Sequence, residues 1–431
     1  MKKTKLLISL LFLSLHFICY AQEEDILYTL FINEQYDQLI QEARSCIQSD
    51  SLNSEVFYIL GLTYSEISRY DSSLFFLRPA LTADSNNLKI LSATGRTFTA
   101  LGRYYEAINI YETIHQTDSS LINPRIRLAN LYLLTHNYSK AIEHYKYLSG
   151  TDTSNYFYYK QLGRCYQDIG NPDLAIVNYL KAYTLNDRDL GIVSRLINLY
   201  LKKKDFNKGL ELAHKGLGID STNVEIRKQR AYLYYLTEQH QPAITDFQQV
   251  MLAGDSSQFT YKYCGLCFFE EKAYGDARDH LLTAYTKDTL DAETTFYLGL
   301  SCRWSGKEEE GIKYLNKTLE IIKPNPNLMS RIYIELAGVY QVLHQFEMTI
   351  ESYNQALEYS DNKDLIYYRL AQVYDENLHN KKMAIEYYQK YLDNRTIDHQ
   401  LYNSSSETME PLLEHVQSRI NRLKEELFFE E

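Results

Sequence analysis

At 431 residues, 45% of them hydrophobic, with 17 Gly and 7 Pro, the chain has apolar material for a long continuous core and too little Gly or Pro for a disordered or collagen-like polymer. Its formal net charge of -11 speaks against nucleic acid or an anionic lipid surface as partner, and no basic stretch longer than Lys202-Lys203-Lys204 contradicts that.

The first residues read as a targeting segment. Lys2, Lys3 and Lys5 precede an apolar run from Leu6 to Ile18, followed by Cys19-Tyr20-Ala21-Gln22, the layout of a secretory signal peptide cleaved after Ala21. The run is short for a membrane span. Acylation of Cys19 would want small residues before it, and Phe17 and Ile18 are large. Residues 1–21 are therefore expected to be removed. The rest is expected to be exported, to a periplasm or the extracellular space, without a lipid anchor at Cys19.

From residue 22 to 392 one spacing organises the chain. Tyr159 to Ala182 reads as two short helices, with Leu162, Gly163 and Tyr166 on one face of the first and Ala175, Tyr179 and Ala182 on one face of the second. Gly170-Asn171-Pro172-Asp173 separates them. Steps of 34 residues from Gly163 land on Gly61, Gly95, Ala129, Ile197, Ala231, Gly265 and Gly299; after one longer step the ladder resumes at Ala337 and Ala371. Small residues recur there because neighbouring helices must approach closely. A second ladder, Asp50, Asp84, Asp118, Asp152, Asp220 and Asp288, keeps the same register, each before Ser or Thr, which suits turns and caps. The first unit is degraded, with Leu27 in the glycine column, as the end of a stacked array requires.

This pattern resembles the tetratricopeptide repeat, in an exported bacterial type, through its Leu-Gly-x-x-Tyr element (Leu162, Gly163, Tyr166) and its Ala-x-x-x-Tyr-x-x-Ala element (Ala175, Tyr179, Ala182). The resemblance implies an all-α, right-handed α-solenoid of about eleven helix-turn-helix repeats. The step from Gly299 to Ala337 is 38 residues, and Lys323-Pro324-Asn325-Pro326-Asn327 reads as a longer loop at 323–328. A polar linker is expected at 393–410. In the final segment, 411–431, Leu412, Val416, Ile420, Leu423 and Leu427 read as a C-terminal capping helix.

Catalytic signatures are missing from the sequence. There is no phosphate-cradling Gly-rich loop, no His-Glu-x-x-His and no Gly-x-Ser-x-Gly, so no cofactor or metal is expected and the chain reads as non-enzymatic. Cys264 and Cys267 have redox-motif spacing but occupy columns filled by Leu and Val in other units, which makes them packing residues. A thiol oxidoreductase, or a disulfide from this pair to Cys302, is the alternative.

Residues three before and one after the glycine column project beside the apolar stripe. They form a polar and basic strip that includes Arg96, Asn130, Lys160, Arg164 and Asn198; beyond it the side turns apolar through Tyr232, Phe269 and Trp304. In tetratricopeptide arrays this side lines the concave groove, and Asn130 followed by Lys160 and Arg164 looks like the last two parts of the family's carboxylate clamp. Ser92 and Arg96 do not match its first part. The expected function is a protein-interaction scaffold of the cell envelope that binds, in that groove, a peptide or protein segment presenting carboxylate and apolar groups. Two further alternatives are an assembly factor acting through the convex face or the final helix, and a glycan or cell-wall binder using the tyrosines.

Overall fold

A computed structural model describes residues 25–49, 53–322, 325–402 and 410–428; the expected signal peptide, residues 1–21, lies outside them. Among the described residues all regular structure is helical and no strand occurs. The helices come as tandem hairpins, an odd-numbered helix followed by an even-numbered one. In order they are α1 (25–32) with α2 (Tyr36–Ser49), α3 (Ser54–Glu66) with α4 (Tyr70–Ala83), and α5 (Leu88–Ala100) with α6 (Tyr104–Thr117). Then come α7 (Ile122–Leu134) with α8 (Tyr138–Thr151), α9 (Tyr156–Asp168) with α10 (Pro172–Leu185), and α11 (Leu190–Lys202) with α12 (Phe206–Ile219). They continue as α13 (Val224–Leu236) with α14 (His240–Leu252), α15 (Gln258–Glu270) with α16 (Tyr274–Lys287), α17 (Ala292–Trp304) with α18 (Glu308–Ile321), and α19 (Pro326–Val342) with α20 (Phe346–Tyr359). The last hairpin is α21 (Asp364–Gln372), a π-helical turn Val373–Asn377, and α22 (Lys381–Tyr402); α23 (Glu410–Phe428) follows. The chain divides into two compact units, Met1–Leu199 and Tyr200–Glu431.

Three local devices repeat with the period. Asn53, Asn87, Asn155, Asn223, Ser257, Asp291 and Asn325 cap odd helices by accepting backbone N–H groups, each cap contributing about 1 kcal/mol. At each of the eight turns from α3–α4 to α17–α18 one residue is left-handed, at Ser68, Gly102, His136, Gly170, Lys204, Glu238, Lys272 and Gly306, with φ between 58° and 76°. That conformation closes the odd helix and turns the chain. The Asp ladder closes the even helices instead of opening the odd ones: Asp118, Asp152 and Asp220 are C-caps whose Oδ1 accepts from the backbone N–H and the hydroxyl of Ser120, Ser154 and Thr222.

The glycine column is a packing requirement. A Cβ on Gly163 would lie 2.7 Å from the ring of Tyr179, and one on Gly61, Gly265 or Gly299 would strike Leu77, Leu281 or Leu315. The partner sits sixteen positions on, in the even helix of the same hairpin. Tyr111, Tyr145, Tyr179 and Phe247 are the largest fully buried side chains.

Several expectations need correction. The four extra residues before Ala337 do not form a longer loop: α18 ends at Ile321 and α19 starts at Pro326, the same interval as between Lys287 and Ala292, while α19 has 17 residues where α17 has 13. Asn325 caps α19 and Pro326 opens it, a position where Pro lacks no needed N–H. The insertion is thus one added helical turn. Helix α22 runs to Tyr402, through the start of the expected linker, because 393–402 hold neither Gly nor Pro to stop it. On α23 the buried stripe is Val416, Ile420 and Leu423, with Leu413 packed beside them and Leu412 40% exposed. The stripe packs on Ala371, Ala384, Tyr388 and Tyr391 of the last hairpin.

Candidate functional site

In the first unit the residues of the basic strip are not a row of equivalent donors. Asn130 Oδ1 accepts the hydroxyl of buried Tyr145 at 2.6 Å, so this amide serves the core as well as the surface. Lys160 Nζ lies 2.6 Å from Asp189 Oδ2 in the turn before α11. Arg164 is exposed, 3.8 Å from Asp168, and Asn198 is exposed on α11.

The lysine contact recurs in the second unit, where Lys228 meets Asp255 at 3.2 Å and Lys262 meets Asp291 at 2.8 Å. A lysine three before the glycine column thus neutralises the acidic group opening the next odd helix. Burial would raise the Asp255 carboxyl, but hydrogen bonds from Ser257, Lys228 and Thr260 outweigh it and hold the group at about 2. These lysines are committed to the fold.

Arg96 stands apart. It is exposed and lines a recess of about 500 Å³ with Tyr58 of α3, Lys89 and Ser92 of α5, and Ile122 and Pro124 of α7. Lys89, Ser92 and Arg96 fall at i, i+3 and i+7, one face of α5. Among the described residues no ion pair ties Lys89 or Arg96 to a carboxylate, in contrast to Lys160. Close by, the buried hydroxyl of Tyr111 has no hydrogen-bond partner among the described residues. Burial raises its pKa and the charges of Arg127 and Arg96 oppose the rise.

In the second unit Tyr232, Phe269 and Trp304 differ in exposure. Tyr232 is half-buried among Phe259, Tyr263 and Tyr235, with ring centroids 5.1, 4.6 and 6.2 Å away. Phe269 is half-buried between Tyr274 and Tyr297, at 5.4 and 5.0 Å. Trp304 alone of the three stays 54% exposed, stacked 6.0 Å from Tyr274, with the Arg303 guanidinium 4.7 Å from its ring. It borders a pocket of about 430 Å³ with Ile334, Val342, Leu365 and Arg369.

Lys89, Tyr58, Val342, Leu365 and Arg369 were not singled out from sequence. Lys89 and Leu365 lie six before the glycine column, one turn beyond the strip inspected, so a wider window on the same helices would have included them.

Chemistry beyond binding finds little footing. Cys264, Cys267 and Cys302 are buried free thiols, not disulfide-bonded. Burial pushes Cys264 and Cys302 up to about 12, the reverse of what a reactive thiolate needs. Among the described residues no group of three or more His, Cys, Asp or Glu side chains is placed to hold a metal ion, and no helix is long and apolar enough to cross a membrane.

One family model agrees with the repeat pattern. The tetratricopeptide repeat family model matches residues 158–189 and 365–395. The BBSome complex member BBS4 of Bos taurus is 25% identical over 232 residues, 54% of this chain and 44% of that protein, so the chain spans less than half the length of this relative. Among solved structures, the C-terminal part of a TPR repeat-containing protein from Cytophaga hutchinsonii is 15% identical, with a TM-score of 0.45, covering 56% of this chain and 97% of that one. A tetratricopeptide repeat protein from Parabacteroides merdae is 16% identical with a TM-score of 0.41, covering 57% and 95%. YrrB, described as a TPR protein with an unusual peptide-binding site, is 19% identical with a TM-score of 0.41, covering 47% and 97%. Two hairpins match the family model directly and the same columns run through the others, so the chain carries tetratricopeptide repeats.

Proposed function

We propose that this protein is a non-enzymatic interaction scaffold that docks peptide or protein segments against its odd helices. In the first unit an acidic group of the partner meets Arg96 and Lys89 over the recess, with Asn130, Arg164 and Asn198 along the same strip. Lys160 positions the backbone through Asp189 and contributes field rather than a direct bond. In the second unit Tyr232, Phe269 and Trp304 offer apolar contact. The observation that carries this reading is the pair of exposed cations over an apolar-floored recess, with no compensating carboxylate among the described residues. Guanidinium and ammonium groups make charge-assisted hydrogen bonds to carboxylates.

The place of action in this reading is the cell envelope. Its support is Lys2, Lys3 and Lys5 ahead of the apolar run from Leu6 to Ile18. The buried thiols remove support from the oxidoreductase alternative. Assembly through the final helix loses support because the apolar stripe of α23 is spent on the last hairpin.

Peptides selected from a random display library on the intact protein should be enriched in Asp and Glu. The double substitution Lys89→Glu and Arg96→Glu should weaken the selected peptides by about a hundredfold, since two attractive charges become repulsive. Both sites are exposed, so folding should be unaffected. Selected peptides without acidic enrichment, or equal binding to the double variant, would remove the reading.

A further inference from the structure

The pocket bordered by Trp304 differs from the rest of the second unit. Trp304, Val342 and Leu365 remain 54%, 57% and 55% exposed although all three line one depression of about 430 Å³ floored by Ile334, Ile366 and buried Tyr353. Three large apolar side chains kept open around one cavity form a patch, and such patches mark binding surfaces more often than scattered exposed residues do. The volume lies at the low end of ligand pockets, about 300–1,000 Å³. It fits one bulky side chain rather than an extended ligand.

The charges at its wall select what accompanies that side chain. Arg303 forms an ion pair with Glu335, and its guanidinium fills the space over Gly338, where a Cβ would collide with it. That cation is therefore both compensated and locked. Arg369 is exposed and donates from Nη1 to the neutral amide oxygen of Gln372 at 3.3 Å; no ion pair holds it among the described residues. Arg303, Arg369 and Tyr353 all line the pocket, and both guanidiniums oppose the rise that burial imposes on the Tyr353 hydroxyl. With Arg303 and Glu335 cancelling, the pocket presents one uncompensated positive charge beside an apolar well.

We infer that this pocket anchors a peptide segment that carries a large apolar side chain next to a carboxylate, the apolar group entering between Trp304, Val342 and Leu365 and the carboxylate meeting Arg369. The inference rests on the scaffold reading but uses residues independent of Lys89 and Arg96.

Trp304 is the only tryptophan in the chain, so its emission reports on this pocket alone. The probes are acetylated, amidated peptides Gly-Ser-Glu-Leu-Gly-Ser, its Lys-Leu counterpart and its Glu-Gly counterpart, titrated into the full chain, with decanoate as a lipid arm. The Glu-Leu peptide is expected to shift Trp304 emission saturably, and the other two peptides to need about tenfold higher concentration, the worth of one charge or one apolar side chain. Arg369→Glu, at an exposed site, is expected to reverse the order so that Lys-Leu binds best. An equal response to all three peptides, an unchanged order in the variant, or a response to decanoate alone overturns the inference. The Lys89→Glu, Arg96→Glu protein should respond like the parent. Loss of the Trp304 response while that double variant still fails to bind acidic library peptides would sink the pocket and leave the scaffold reading standing.

Discussion

Gly163 shows how far one residue carries the argument from sequence to packing. Its column was legible because it recurs every 34 positions, and the reason for it is the ring of Tyr179, fully buried and unable to swing away. Gly163→Val should cost stability at the upper end of about 1–3 kcal/mol by overpacking, whereas Gly150→Ala, with nothing within 4 Å of the new Cβ, should be neutral or gain up to about 1 kcal/mol of helix propensity. Urea midpoints of the two variants check this contrast. His144 is a second case, and nothing in the sequence pointed to it. It is buried, stacked on Tyr132 and 5.6 Å from His115. Burial first, then the charges of Arg125 and His115, lower its pKa to about 4 from an ordinary 6.5. The folded value lies below the unfolded one, so the neutral ring's contribution is fully present above pH 6.5 and is lost as the pH falls from there towards 4. His144→Gln should remove up to about 3 kcal/mol of this acid sensitivity, measured as the difference in stability between pH 7.5 and 4.5. An equal acid loss in variant and parent would refute it. The site residues were only partly legible. Arg96 and Trp304 are exposed, but Lys160 is engaged by Asp189, a partner 29 positions away that no local pattern announces.

Helices and turns follow the period more closely than the eye does in the sequence. The left-handed residue appears at every hairpin, yet only three of the eight regular turns place Gly there, which hid the ladder. Lys272→Gly should stabilise by about 0.5–1 kcal/mol, because glycine alone adopts that φ without cost, and thermal unfolding of the single variant tests it. Where the sequence breaks period, the element absorbs the difference inside a helix: the four residues before Ala337 lengthen α19 by a turn. The extra residue between Ala371 and Ala384, a spacing of 13 where Gly299 to Gly311 is 12, becomes the π-helical turn Val373–Asn377. The four-residue insertion was read as loop because loops tolerate insertions most easily. The π-helical turn has a consequence for the cap. It carries Asp375, 7% exposed, which takes a two-pronged contact from Arg419 of α23, Nε to Oδ2 at 2.8 Å and Nη2 to Oδ1 at 2.7 Å. Arg419→Ala leaves that carboxylate buried and unpaired and should cost about 3 kcal/mol, seen as faster amide exchange across α23 than across α20.

On the scale of the whole chain, repetition explains both what was readable and what was not. A period fixes helices, turns and the close-packed columns because each is set within a hairpin or between chain neighbours. It does not fix which donors are free, since that depends on side chains reaching across hairpins, as Lys160, Lys228 and Lys262 do. The net charge of -11 is thus compatible with local basic recognition, because Lys89, Arg96 and Arg369 line recesses and are held by no ion pair among the described residues. The central claim is that partners dock on the odd helices and not on the even ones. Its most direct test is site-specific photo-crosslinking in the native host, with a photoreactive residue placed at Ser92 or Asn198 on odd helices and at Tyr105 or Val177, which are 72% and 61% exposed on even helices. The account predicts discrete protein adducts from the first pair of positions and none from the second. Adducts only from Tyr105 and Val177 would contradict it.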